Sequence, residues 1–123
     1  MGKYTFRKEE RLNSEKDIQE LFSKGSSFYL YPFKVLQKES ANQAHPFHQI
    51  LISVPARNFK RAVDRNLIKR RIREAYRLNK AAISSPTKLL IAYIYTAKDI
   101  LEFNQIQEKM VRTFKQLGHE KKN

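Results

Sequence analysis

Apolar residues recur at helical intervals in three stretches of the chain and in strand-like runs in three others. Ile18, Leu21 and Phe22 fall at i, i+3 and i+4, one stripe of a helix that Ser14 can cap, with Asp17 three residues on. Gly25 is its natural stop. Phe28 to Gln37 is rich in aromatic and branched residues and reads as strand, and Pro32 splits it with a bulge, a turn or an edge. Glu39 to His48 is polar and carries a proline, which predicts a loop. Gln49 to Val54 is a second run, stopped by Pro55, and Lys88 to Thr96 a third, apolar nearly throughout as a central strand would be. Asp99 and Glu102 are the capping candidates for a last helix, along which Phe103, Ile106, Met110, Phe114 and Leu117 step to Gly118.

Between the second and third runs lies a helix of another character. Asp64 is placed to cap it, with Val63 and Ile68 as a hydrophobic staple. With Arg65 at zero and about 100° per residue, Lys69, Arg73, Asn66, Arg77 and Arg70 fall between about 40° and 140°. Leu67, Ile68, Ile72, Ala75 and Leu78 occupy the arc from about 200° to 340°. Arg71 interrupts that arc and is expected to lay its stem on the surface with its head in water. The element order is that of an α/β layer in which this helix crosses between two strands.

Charge sharpens the picture. The chain has 123 residues, 25 Lys and Arg against 12 Asp and Glu, and a formal net charge of +13. The segment Arg57 to Lys80 holds ten of those cations and two acids, Asp64 and Glu74. Like charges four apart on a helix cost a few tenths of a kcal/mol each. A face that keeps Arg65/Lys69, Lys69/Arg73 and Arg73/Arg77 in that relation is built for a polyanion. Arginine predominates there, and its planar fork grips phosphate bidentately. Arg65→Ala and Arg70→Ala are accordingly expected to weaken polyanion binding and spare the fold. Length and a hydrophobic fraction of 41% fit one domain with an ordered core, spanning 1–123.

Several chemistries are excluded. The chain has no cysteine, hence no disulfide, thiolate metal site or thiol nucleophile. Its three glycines form no phosphate loop. His45 and His48 lie in a polar loop and His119 in a short tail, without the carboxylates that would complete a metal site. Phe28, Tyr29, Tyr31, Phe33, Tyr93 and Tyr95 could stack on bases, but strand aromatics are more often core. A helix-turn-helix needs a neighbouring helix where this chain has apolar β-runs. A membrane-surface helix would need the apolar face that a sheet requires here. No apolar run is long enough to span a membrane, and Met1 to Arg11 lacks the apolar core of a signal peptide, so a cytoplasmic location is expected.

Ser53-Val54-Pro55, followed by Lys60-Arg61-Ala62-Val63-Asp64-Arg65-Asn66-Leu67-Ile68-Lys69-Arg70-Arg71-Ile72-Arg73, resembles the signature of the bacterial ribonuclease P protein component. The family pattern A-V-x-R-N-x-x-K-R-x-x-R is met at Ala62, Val63, Arg65, Asn66, Lys69, Arg70 and Arg73. Asp17 to Phe22 followed by Lys24-Gly25 resembles the family's first helix. Where relatives commonly carry a basic pair after Ser-Val, this chain has Pro55-Ala56-Arg57. Where they commonly show two Phe four apart, it has Ile18 and Phe22.

The resemblance implies a two-layer α/β sandwich of order αβββαβα, with a small mixed sheet and a left-handed crossover through the basic helix. It implies a protein without catalysis of its own, bound to a catalytic RNA that hydrolyses precursor tRNA to free the mature 5′ end, with Mg²⁺ held mainly by that RNA. RNA contact is implied for Arg65, Asn66, Lys69, Arg70 and Arg73, to which the charge pattern adds Arg57, Lys60, Arg61 and Arg77. A cleft between the first helix and the sheet, receiving the 5′ leader, is implied at Ile18, Phe22, Lys34 and Leu36. DNA and membrane are not expected partners. The alternative is a non-catalytic RNA-binding module such as a small ribosomal-type protein.

Overall fold

The computed structural model describes residues 6–118; His119 and the tail lie outside them. The order is α1 (Glu15–Lys24), β1 (Ser26–Leu30), β2 (Phe33–Glu39), β3 (Gln49–Ser53), α2 (Ala62–Asn79), β4 (Leu89–Tyr95) and α3 (Phe103–Phe114). That is the expected αβββαβα order. The four strands form one sheet in the order β1-β2-β4-β3. β1 and β2 are antiparallel, as are β2 and β4, while β3 runs parallel to β4 with α2 as its crossover. Pro32 falls in the turn between β1 and β2, the second of the three outcomes its position allowed.

Strand alternation sorts the side chains into two cores. Phe33 and Val35 on β2, Ile50 on β3 and Ile91, Tyr93 and Tyr95 on β4 face Ile68, Ile72, Ala75 and Tyr76 of α2 and Ile106, Met110 and Phe114 of α3. This sheet-and-helix sandwich holds the larger core. On the other sheet face Leu36, Leu90 and Ala92 meet Leu12 and Leu21, with Ile18 at the margin, beneath α1. β4 is buried along almost its whole length because helices cover both its faces. Gly25 permits the tight exit from α1, since a Cβ there would collide with the Leu21 and Gln37 carbonyls.

Local details depart from the sequence reading. α2 begins at Ala62, so the capping position is Arg61, and Asp64 sits in the first turn, where its charge complements the helix dipole. Val63 is 58% exposed and forms no staple. Asp99 does not cap α3; Glu102 holds that position, and its N–H donates to Gln105 Oε1 at 3.1 Å. Of the strand aromatics, Phe33, Tyr93 and Tyr95 are core, while Tyr29 and Tyr31 are exposed.

The loop before β3 carries a pH-sensitive contact. His48 Nδ1 accepts the Leu89 N–H at 3.0 Å. Burial, and then the charge of Lys88, hold its pKa below the ordinary 6.5, with Glu10 opposing. The unfolded chain therefore takes up a proton at His48 before the folded chain does. The contribution is complete above pH 6.5 and is lost as pH falls from there through the depressed folded value. The melting temperature should drop between about pH 7.5 and 5.5, and His48→Asn, which can still accept the Leu89 N–H, should flatten that drop. An undiminished drop in the variant would assign the effect to other groups.

Candidate nucleic-acid interface

The loop after β3 and the outer face of α2 form one continuous basic surface. Arg57, Lys60 and Arg61 are exposed in the loop and at the helix start, Asn66 and Arg70 are exposed on the helix, and Lys69 and Arg73 are half-buried beside them. The burial of Ile68, Ile72, Ala75 and Tyr76 against the sheet and α3 turns this arc outward.

Four arginines of this region have partners within the chain, the loosest being Arg61, whose Nε lies 3.9 Å from Asp64 Oδ2. Arg65 Nη1 donates to the Phe59 carbonyl at 2.7 Å and the Lys60 carbonyl at 3.0 Å, so it pins the loop to the helix start. The expectation that Arg65→Ala spares the fold is therefore corrected: that change removes two charge-assisted bonds to backbone. Arg70 keeps its exposed position. Arg77 pairs with Glu74 at 2.6 Å, and their hydrogen bond holds the Glu74 carboxyl below its ordinary range and raises the guanidinium. Arg71 was expected to extend into water. Its Nη1 instead donates to the Leu101 carbonyl at 2.6 Å, tying α2 to the segment before α3.

The residues implied for the leader lie on the α1 side of the sheet. Lys34 is exposed there and stands opposite Tyr29 of β1 and Ile94 of β4. Phe22 is 47% exposed and Tyr29 60%. Glu20 approaches Lys38 at 3.9 Å, which turns one flank of α1 toward that end of the strands. Phe22, two positions on from Glu20, lies on the opposite flank of α1 by the helical spacing. Ile18 is half-buried, and Leu36 is 6% exposed beneath α1, so Leu36 supports this surface and does not line it.

Sequence reasoning missed a buried ion pair. Glu10 is 1% exposed, and its carboxylate receives Lys80 Nζ at 2.6 and 2.8 Å and the Arg7 N–H at 2.7 Å. It joins the N-terminal segment to the end of α2. Nothing in local spacing signals it, because the partners are 70 residues apart. Among the described residues no group of three or more His, Cys, Asp or Glu gathers where a metal could be held, and no helix is long and apolar enough to cross a membrane.

Comparison with known proteins bears on this surface. The family model described as Ribonuclease P matches residues 6–118. The ribonuclease P protein component of Dictyoglomus turgidum is 33% identical over 125 residues, covering 99% of this chain and 100% of the relative. That of Porphyromonas gingivalis is 31% identical over 111 residues, covering 86% and 81%. Among solved structures, the Staphylococcus aureus RNase P protein superposes with a TM-score of 0.71 at 30% identity, covering 86% of this chain and 93% of the other. The Thermotoga maritima RNase P protein gives 0.73 at 26% identity, covering 88% and 97%.

Proposed function

The chain belongs to the ribonuclease P protein family and is a protein component of that endoribonuclease of tRNA 5′ processing, and from this premise we propose that its α2 face docks on the catalytic RNA while its α1 side holds the 5′ leader of precursor tRNA. The observation that carries the reading is the concentration of Arg57, Lys60, Arg61, Lys69, Arg70 and Arg73 on one surface, where the two neighbouring acids, Asp64 and Glu74, are each paired with an arginine, Arg61 and Arg77. Arg65 and Arg71, bound to backbone carbonyls of neighbouring segments, hold the shape of that surface, while Arg77 pairs with Glu74 along the helix.

In this reading the RNA performs the hydrolysis and the protein contributes charge and positioning. Its cations replace condensed counterions on the RNA, which favours association and relieves repulsion between catalytic RNA and substrate. Mg²⁺ is assigned mainly to the RNA. The same reading assigns the holoenzyme to the cytoplasm.

Two measurements test the reading. Six phosphate contacts imply a log–log salt slope of about −4 to −6 for binding to the catalytic RNA. A slope near −1 would remove α2 as the dominant contact. The purified chain should also restore 5′ cleavage of precursor tRNA by that RNA at low Mg²⁺, and no gain in cleavage would overturn the functional assignment.

Leader contact has its own test. A single-stranded leader can stack on Phe22, an interaction worth roughly 1–3 kcal/mol per base. Phe22→Ala should lower the holoenzyme's preference for precursor over mature tRNA while leaving assembly with the catalytic RNA intact. Affinities for both substrates, measured on a variant shown to be folded, decide it: an unchanged ratio excludes Phe22 from the leader surface.

A further inference from the structure

A cleft opens between the basic helix and the outer edge of the sheet. β3 is an edge strand, and the N-terminal segment runs beside it only briefly, the Leu12 N–H donating to the Ile50 carbonyl at 2.9 Å. After Asn13 the chain turns into α1. Backbone groups of alternate strand residues point the same way. Ile52, two residues past Ile50, therefore aims its N–H and C=O outward beyond the end of the covering segment. The opening is lined by Arg11, Asn13, Leu51, Ile52, Lys69 and Arg73, among others, and by no acid.

Each part of a nucleotide finds a counterpart there. Lys69 and Arg73 on one wall and Arg11 on the other suit a phosphate. Ile52, on the α2 side of the sheet like Lys69 and Arg73, offers an apolar surface for a base. The Asn13 amide and the Ile52 main chain offer donors and acceptors to a base edge, which is free only in a nucleotide outside a duplex. We propose that this cleft receives one unpaired nucleotide of the catalytic RNA, an inference that rests on the functional reading above. The source is the catalytic RNA because Lys69 and Arg73 belong to the face that docks on it. Lys34, assigned to the leader, lies on β2 opposite Tyr29 of β1, separated from this edge by β4. The cleft adds sequence-dependent contact to an interface otherwise made of phosphate contacts.

The chain has no cysteine, so Asn13→Cys at an exposed position creates a unique handle for a photocrosslinker. In complexes with catalytic RNA, with and without precursor tRNA, one dominant adduct is expected at an unpaired nucleotide of the catalytic RNA. It should persist when the substrate is added and be absent from an Arg112→Cys control on α3. Adducts confined to the leader, or spread along paired strands, would overturn the proposal. Asn13→Leu keeps size and charge while removing the amide. It should weaken RNA binding about tenfold with the salt slope unchanged, and an unchanged affinity would likewise overturn it. Failure of the unmodified chain to bind catalytic RNA would overturn the functional reading as well, and filter binding reveals that before any crosslink is made.

Discussion

Replacing Lys80 with methionine should lower folding stability by about 3–5 kcal/mol, because it leaves a buried carboxylate without its counter-charge. Glu10 is 1% exposed and its two oxygens take Lys80 Nζ at 2.6 and 2.8 Å. The cost lies in the orphaned charge more than in the lost attraction. The double variant Glu10→Gln/Lys80→Met should therefore recover much of the loss, since the amide oxygen can still accept the Arg7 N–H. Denaturant midpoints for wild type, single and double variants measure this. A single variant within about 1 kcal/mol of wild type would mean that water reaches Glu10 in the native state.

The second large effect falls on binding. The triple variant Lys69→Ala/Arg70→Ala/Arg73→Ala should reduce affinity for the catalytic RNA about 10²- to 10³-fold, taking roughly 1–1.5 kcal/mol for each charge-assisted phosphate contact. It should also make the log–log salt slope about 3 units less steep. The fold should survive, since none of the three supplies a buried core side chain. Binding isotherms at several salt concentrations, beside thermal melts, separate the two effects. Intact affinity in a folded triple variant would move the RNA interface off α2.

The substitutions differ in how visible they were in the amino-acid sequence. Lys69, Arg70 and Arg73 stand out at once, because helical spacing puts them on one face and apolar residues on another. Lys80 does not, since its partner lies 70 residues away and no periodic pattern links them. Tyr76 shows the same limit inside one helix. By spacing it falls at about 20°, beside Arg65 and outside the apolar arc. It is buried because Phe6 and Phe114 approach that side, with ring centroids at 5.8 and 6.0 Å. The helix is thereby turned so that Arg65 reaches the Phe59 and Lys60 carbonyls.

The amino-acid sequence by itself determined three helices, three strand-like runs, the basic face and the family pattern upon it. All of these are written in spacings within one segment, where backbone geometry converts periodicity directly into a face. Only the tertiary structure decided the strand order that leaves β3 at an edge, the burial of Leu36 under α1, and the division of the arginines into those held internally and those left to a partner. Those outcomes depend on which distant segments pack together. Arginine presents the same charge and the same fork whether its neighbour is a backbone carbonyl, a Glu or solvent. The packing of the second element, and not the spacing within the first, selects among them.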